Sequence, residues 1–93
     1  MPILSKDDVR EKLKLLPGWK EERSEITRQA EFPDFVAAMG FVNAVAGKAE
    51  AAGHHPDIDI RYNKVRLALV SHDAGGLTQR DFDLAAAIED LLP

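Results

Sequence analysis

Three histidines are the residues of this chain best suited to chemistry, and they lie close together in the sequence. His54, His55 and His72 are its only histidines. Imidazole donates or accepts a proton near neutral pH, and a nearby carboxylate fixes its tautomer. Glu50 lies one helical turn before His54 and supplies such a carboxylate. The pattern is typical of a site that needs both an acid and a base. Polar residues placed at a strand end for solubility would produce the same pattern.

A metal site is the second chemical interpretation of these residues. His54, His72 and Glu50 would supply two imidazoles and a carboxylate. Their spacing matches no strong metal signature such as His-Glu-x-x-His. The chain has no cysteine, which removes disulfides, thiolate nucleophiles and cysteine-ligated metal sites. The spacing therefore favours proton-transfer chemistry over a metal site at these residues.

A tight hairpin is predicted to bring the histidines together. Residues 57–62 and 65–70 alternate with period two, which indicates two strands with one buried face each. The two residues between them, Asn63 and Lys64, predict a short turn. Pairs whose numbers sum to 127 then match apolar side chains, namely Tyr62 with Val65, Ile60 with Leu67 and Ile58 with Leu69. The same register places His55 opposite His72 at the open end.

The remaining elements follow from caps and apolar spacing. A short helix begins after Ser5, carries the apolar stripe Val9, Leu13 and Leu16, and ends at Pro17-Gly18. Strands follow at 19–22 and 26–32, and a long helix runs from the Asp34 cap to Ala52 and Gly53. A capping box at Thr78 and Asp81 opens the last helix. The order α-β-β-α-β-β-α predicts an α+β fold, with a four-stranded antiparallel sheet and three helices on one face.

Length and composition narrow the class of protein. The 93 residues suffice for one domain over 1–93, and 45% apolar with 30% charged residues is the composition of a globular protein. The net charge of −4 disfavours direct binding of nucleic acid. No apolar run is long enough to span a membrane, and no secretory signal is recognisable, so we expect a cytoplasmic protein.

The motif around the histidines resembles that of the pterin-4a-carbinolamine dehydratases. It consists of Glu50-x-x-x-His54-His55-Pro56, then Tyr62, His72 and Asp81 at fixed intervals. The Tyr-Asn-Lys-Val segment at 62–65, the segment at 72–78 and Leu-Pro-Gly-Trp at 16–19 are similar to that family as well. The resemblance covers nearly the whole chain.

The resemblance implies a lyase that removes water from 4a-hydroxytetrahydrobiopterin and yields quinonoid dihydropterin. In that family the reaction recycles the pterin used by aromatic amino acid hydroxylases and needs no cofactor. His54, His55 and His72 are then the catalytic imidazoles, with His54 and His72 in acid–base work and His55 holding the pterin. Glu50 would orient an imidazole or bind the pterin, and Pro56 would stiffen the turn. Family members form homodimers or homotetramers.

Three further residues have two interpretations each. Asp81 is equally suited to capping the last helix and to a role in the site. Tyr62 is expected in the core, because it shares a strand face with Ile58 and Ile60. Trp19, the sole tryptophan, is expected to pack rather than to stack on a ligand.

Two other functions stay open at this stage. The first is a non-enzymatic, oligomerising partner protein with the same fold. The second is handling of another pterin, such as molybdopterin, in the same pocket.

Overall fold

Two antiparallel hairpins form the sheet, and three helices complete the fold. The computed structural model of the chain describes residues 2–93. Its elements are α1 (Lys6–Leu13), β1 (Trp19–Glu22), β2 (Glu25–Glu31), α2 (Phe35–Ala52), β3 (Asp57–Arg61), β4 (Lys64–Leu69) and α3 (Gln79–Glu89). The strands pair antiparallel in the order β1-β2-β4-β3. The predicted α+β fold and element order are confirmed.

The helix boundaries follow the predicted caps. Ser5 Oγ accepts from the N–H of Asp8 at 3.1 Å, and Asp34 Oδ1 accepts from the N–H of Ala37 at 2.8 Å. Gly53 ends α2 in the left-handed region at φ 63°, where glycine has no Cβ to clash. The first helix is shorter than predicted, because α1 ends at Leu13 and the chain then continues through single turns.

The hydrophobic core lies between the helices and one face of the sheet. Its strand residues alternate along β4 as Val65, Leu67 and Leu69, each no more than 1% exposed. All three helices contribute to the same cluster, which includes Val9, Ala38, Phe41, Val42, Val45, Ala49, Phe82, Leu84, Ala85 and Ile88. The opposite sheet face is polar, with Glu22 accepting from Thr27 Oγ1 and from Arg66.

The predicted register of the second hairpin is wrong by two residues. Ile58 pairs with Leu67 and Ile60 with Val65, and the strands meet at Arg61 and Lys64. A two-residue displacement leaves the same side chains on the same face, since strand side chains alternate with period two. The apolar pattern was therefore satisfied by both registers.

The hairpin turn explains which register forms. Its two residues are Tyr62, at φ 53°, and Asn63. Asn63 Nδ2 donates to the carbonyl of Phe32 at 2.7 Å, and the Phe32 N–H donates to the carbonyl of Asn63 at 2.9 Å. Tyr62 is consequently 66% exposed, so its predicted place in the core is wrong.

Trp19 is a core residue, as predicted, and it is 4% exposed. Its Nε1–H donates to Glu89 Oε1 at 2.7 Å, and the Nε–H of Arg28 donates to the same oxygen at 2.6 Å. These bonds attach the end of α3 to the first hairpin.

Candidate active site

A buried histidine–aspartate pair forms the innermost part of the site. His54 follows the left-handed Gly53, and its backbone N–H donates to the carbonyl of Ala49 at 3.1 Å. The turn directs the imidazole inwards, where Nε2 lies 2.6 Å from Oδ1 of Asp81. His54 is 8% exposed and Asp81 is fully buried. Because a carboxylate only accepts, the proton of this bond lies on Nε2, and Nδ1 of His54 is left for other chemistry.

The second oxygen of Asp81 is held equally firmly. Asp81 Oδ2 accepts from the backbone N–H of Thr78 and from Ser71 Oγ, both at 2.9 Å. Ser71 Oγ also lies 2.8 Å from Thr78 Oγ1. The carboxylate therefore both caps α3 and contacts His54, so the two interpretations of Asp81 describe one geometry.

His55 has the opposite environment from its neighbour. Its side chain is 61% exposed, and Nε2 lies 2.5 Å from Oε2 of Glu50. Glu50 sits in the last turn of α2 with 77% of its side chain exposed. Glu50 therefore orients an imidazole, but that of His55 and not of His54, the histidine one helical turn away that the sequence spacing indicates.

His72 lies on the loop between β4 and α3. The loop closes on Ser71, whose carbonyl accepts from the N–H of Gly75 at 3.0 Å, and Gly75 adopts φ 84°. His72 itself is exposed. Its position therefore depends on the conformation of the loop and not on burial of its own ring.

The three histidines line one open cleft of about 290 Å³. The other lining residues are Gly53, Val70, Asp73 and Arg80. The predicted convergence of the histidines is thus found, although His55 and His72 are not opposite each other in the sheet register. Asp81 does not line the cleft but bonds to His54 from the interior. Glu50 does not line it either and bonds to His55. Pro56 is half-buried and lies just before β3.

Sequence reasoning missed Ser71, Asp73 and Arg80. Arg80 donates through a terminal guanidinium nitrogen to Asp73 Oδ1 at 2.5 Å, and this bond holds the pKa of the Asp73 carboxyl below its usual range. The available signal was adjacency, since Ser71 and Asp73 flank His72 and Arg80 precedes Asp81.

Within residues 2–93, no three His, Asp or Glu side chains are grouped so that they could hold a metal ion. The alternative ligand set of His54, His72 and Glu50 is therefore not assembled. No helix in the same stretch is long and apolar enough to cross a membrane.

Comparison with known proteins decides the family. The family model described as pterin 4 alpha carbinolamine dehydratase matches residues 2–91. This chain is a pterin 4 alpha carbinolamine dehydratase family member. A relative from Acidobacterium capsulatum is 68% identical and one from Chloroflexus aurantiacus is 58% identical, each over 99% of this chain and at least 99% of its own length. Both carry the name "Putative pterin-4-alpha-carbinolamine dehydratase".

A solved structure of the dehydratase family has the same fold. It is described as a transcriptional coactivator/pterin dehydratase from Brucella melitensis, and it is 32% identical to this chain. The TM-score is 0.93, with 98% of this chain and 99% of the other covered. The resemblance found in the sequence motif is confirmed at the level of family.

Proposed function

We propose that this protein dehydrates 4a-hydroxytetrahydrobiopterin to quinonoid dihydropterin and water. The observation that carries the proposal is the single cleft in which the buried His54–Asp81 pair lies beside two exposed imidazoles, in a chain of this family. The product would then be reduced again to tetrahydropterin, which makes the reaction a recycling step after aromatic hydroxylation.

The chemistry requires two proton transfers. The N5–H bond gives up its proton to a base, and the nitrogen electron pair forms the N5=C4a double bond. The C4a–O bond breaks, and the departing hydroxide takes a proton from an acid to become water. Two imidazoles that titrate near neutral pH can perform both transfers without a cofactor.

His54 and His72 are the residues we assign to these transfers. Asp81 fixes the tautomer of His54, so that Nδ1 of the neutral ring is the nitrogen able to accept a proton. His72 lines the same cleft and is open to solvent. We assign binding of the pterin to His55, which Glu50 orients.

The test is dehydration of freshly generated 4a-hydroxytetrahydrobiopterin, followed by ultraviolet absorbance. We expect wild type to accelerate the reaction and His72→Ala to lower kcat by about 10²- to 10⁴-fold, the usual range for one acid–base group. Because His72 is exposed, we expect its replacement to change the free energy of unfolding by no more than about 0.5 kcal/mol. His55→Ala should instead raise KM more than it lowers kcat.

Asn43→Ala, an exposed substitution on α2, is the matched control and should behave as wild type. If folded wild type does not accelerate the reaction, the enzymatic proposal is rejected. The remaining functions are then a non-enzymatic partner protein or the handling of another pterin, and titration with several pterins separates these two.

A further inference from the structure

An ion pair joins the His72 loop to the helix that carries Asp81. Arg80 Nη2 lies 2.5 Å from Oδ1 of Asp73. Asp73 directly follows His72, and Arg80 directly precedes Asp81, whose carboxylate binds His54. The pair therefore connects the segment that carries His72 with the helix whose Asp81 holds His54. These are the two imidazoles assigned to proton transfer.

The position of Arg80 is energetically unfavourable for a charged side chain. Its side chain is 28% exposed, and its Nε is buried with no hydrogen-bond partner among residues 2–93. It also occupies the second position of α3, where the helix dipole disfavours a positive charge. A buried donor without a partner and a cation at a helix N-terminus both reduce stability, and such departures from the usual rules are expected at functional or strained sites.

The other bonds of the loop reach only the backbone of His72, whose carbonyl accepts from the N–H of Gly75 at 3.1 Å. Ser71 binds Thr78 and Asp81 at the base of the loop, and the N–H groups of Gly75 and Gly76 donate to the Ser71 carbonyl. These contacts close the loop through its backbone and through the side chain of Ser71 at its base. Asp73, on the other side of His72 from Ser71, is the second neighbour with a side-chain bond, which it accepts from Arg80.

We infer that Arg80 is a positioning residue for the proposed dehydration: through Asp73 it fixes the distance between His72 and His54. The inference rests on the proposed function for its kinetic consequence, but its geometric content concerns the loop alone. The lowered pKa of Asp73 agrees with it, because the hydrogen bond from Arg80 is the largest cause of that shift. The Asp73 carboxyl is therefore ionised throughout the neutral range.

Kinetics of matched variants test the inference. Arg80→Gln and Asp73→Asn each remove one partner, and we expect both to lower kcat by about tenfold or more, since displacements near 1 Å can cost up to 10²-fold. Although both residues line the cleft, KM should change by a smaller factor than kcat, because they bond to each other and pterin binding is assigned to His55. The exchanged pair Asp73→Arg/Arg80→Asp should regain at least about threefold over the single variants, as expected for coupled residues.

Arg10→Gln is the matched control, because Arg10 forms an exposed pair with Asp7 in α1, away from the cleft. It should keep wild-type kcat. A loss in Arg80→Gln with no loss in Asp73→Asn would overturn the inference, because Arg80 would then act directly on the ligand. Wild-type kcat in both variants would overturn it as well.

A measurement without turnover separates this inference from the proposed function. We expect NMR of the free protein to show faster amide hydrogen exchange over residues 72–76 in Arg80→Gln and Asp73→Asn, with His54 unchanged. If wild type proves inactive on the pterin, the function fails while this result still decides the positioning role. Unchanged exchange in both variants would reject the positioning role, whatever the activity.

Discussion

The imidazole of His54 and the carboxylate of Asp81 are joined by a 2.6 Å bond in the interior of the protein, with the two residues 27 positions apart in sequence. A buried pair of this kind is stable only when its remaining polar atoms are also bonded. Ser71 and Thr78 provide those bonds to Asp81. The first turn of α3 is therefore part of the structural support of the site.

Asp81→Asn should disable His54 without abolishing the fold. An amide placed with its oxygen towards Ser71 and Thr78 directs its NH₂ at Nε2 of His54, which inverts the tautomer and leaves Nδ1 protonated. We expect kcat to fall by about 10²-fold or more, and the free energy of unfolding to fall by about 1–3 kcal/mol. Steady-state kinetics and urea titration measure the two effects.

Asp83→Asn is the control for that variant, because Asp83 lies in the same helix but is exposed. Wild-type kcat is expected for it. Retention of full activity by Asp81→Asn would show that Asp81 only caps α3.

Glu89→Ala should destabilise the protein and leave turnover unchanged. The substitution removes the acceptor shared by Trp19 Nε1 and Arg28 Nε, neither of which is fully solvated. We expect a loss of about 1–3 kcal/mol in the free energy of unfolding, followed through the fluorescence of the sole tryptophan. Glu11→Ala is the control, because it breaks an exposed pair with Lys14, and it should change the free energy of unfolding by less than about 0.5 kcal/mol. Equal effects would contradict the prediction.

The titration of Asp73 should report on its bond to Arg80. The pKa of this carboxyl is lowered from 3.8 by that bond. A depressed folded-state pKa contributes stability above the unfolded pKa, and that contribution is lost as the pH falls through the folded value. In Arg80→Gln we expect the Asp73 pKa, measured from its side-chain carboxyl carbon by NMR, to rise towards 3.8. No rise would mean that the ion pair does not form in solution.

The turn between β1 and β2 should accept a more favourable sequence. Arg23 and Ser24 adopt φ 52° and 66°, where most side chains clash with the backbone. Asn and Gly tolerate this region, so Arg23→Asn/Ser24→Gly should raise the free energy of unfolding by roughly 1 kcal/mol. Gln29→Gly, within β2, should lower it by roughly 0.5–1 kcal/mol. A destabilised turn variant would show that Arg23 or Ser24 makes contacts that outweigh the strain.

Local patterns predicted the elements well because each cap is a short-range interaction. Asp34, Gly53 and the Thr78–Asp81 box act within one helical turn and could be read directly from the sequence. The hairpin register could not be read in this way. Its apolar pairs are equally satisfied after a two-residue displacement, and the bond between Asn63 and Phe32 is a contact between distant segments.

In the candidate site, too, the features encoded locally in the sequence could be predicted and the contacts between distant segments could not. The family motif grouped His54, His55 and His72, which line one cleft, although the hairpin register predicted to bring them together is wrong by two residues. The bonds from Ser71 and Arg80 could not be predicted, because they exist only once the loop has folded against α3. Nor does sequence adjacency reveal that His54 is buried while His55 is exposed.

That contrast at Gly53 has a consequence for proton balance during a reaction cycle. His55 and His72 are exposed, whereas His54, at 8% exposed, meets solvent only where it lines this cleft and a neighbouring cleft bounded by Lys48 and Asp83. In the proposed dehydration, a pterin bound among the histidines would restrict proton exchange between His54 and bulk water to the neighbouring cleft.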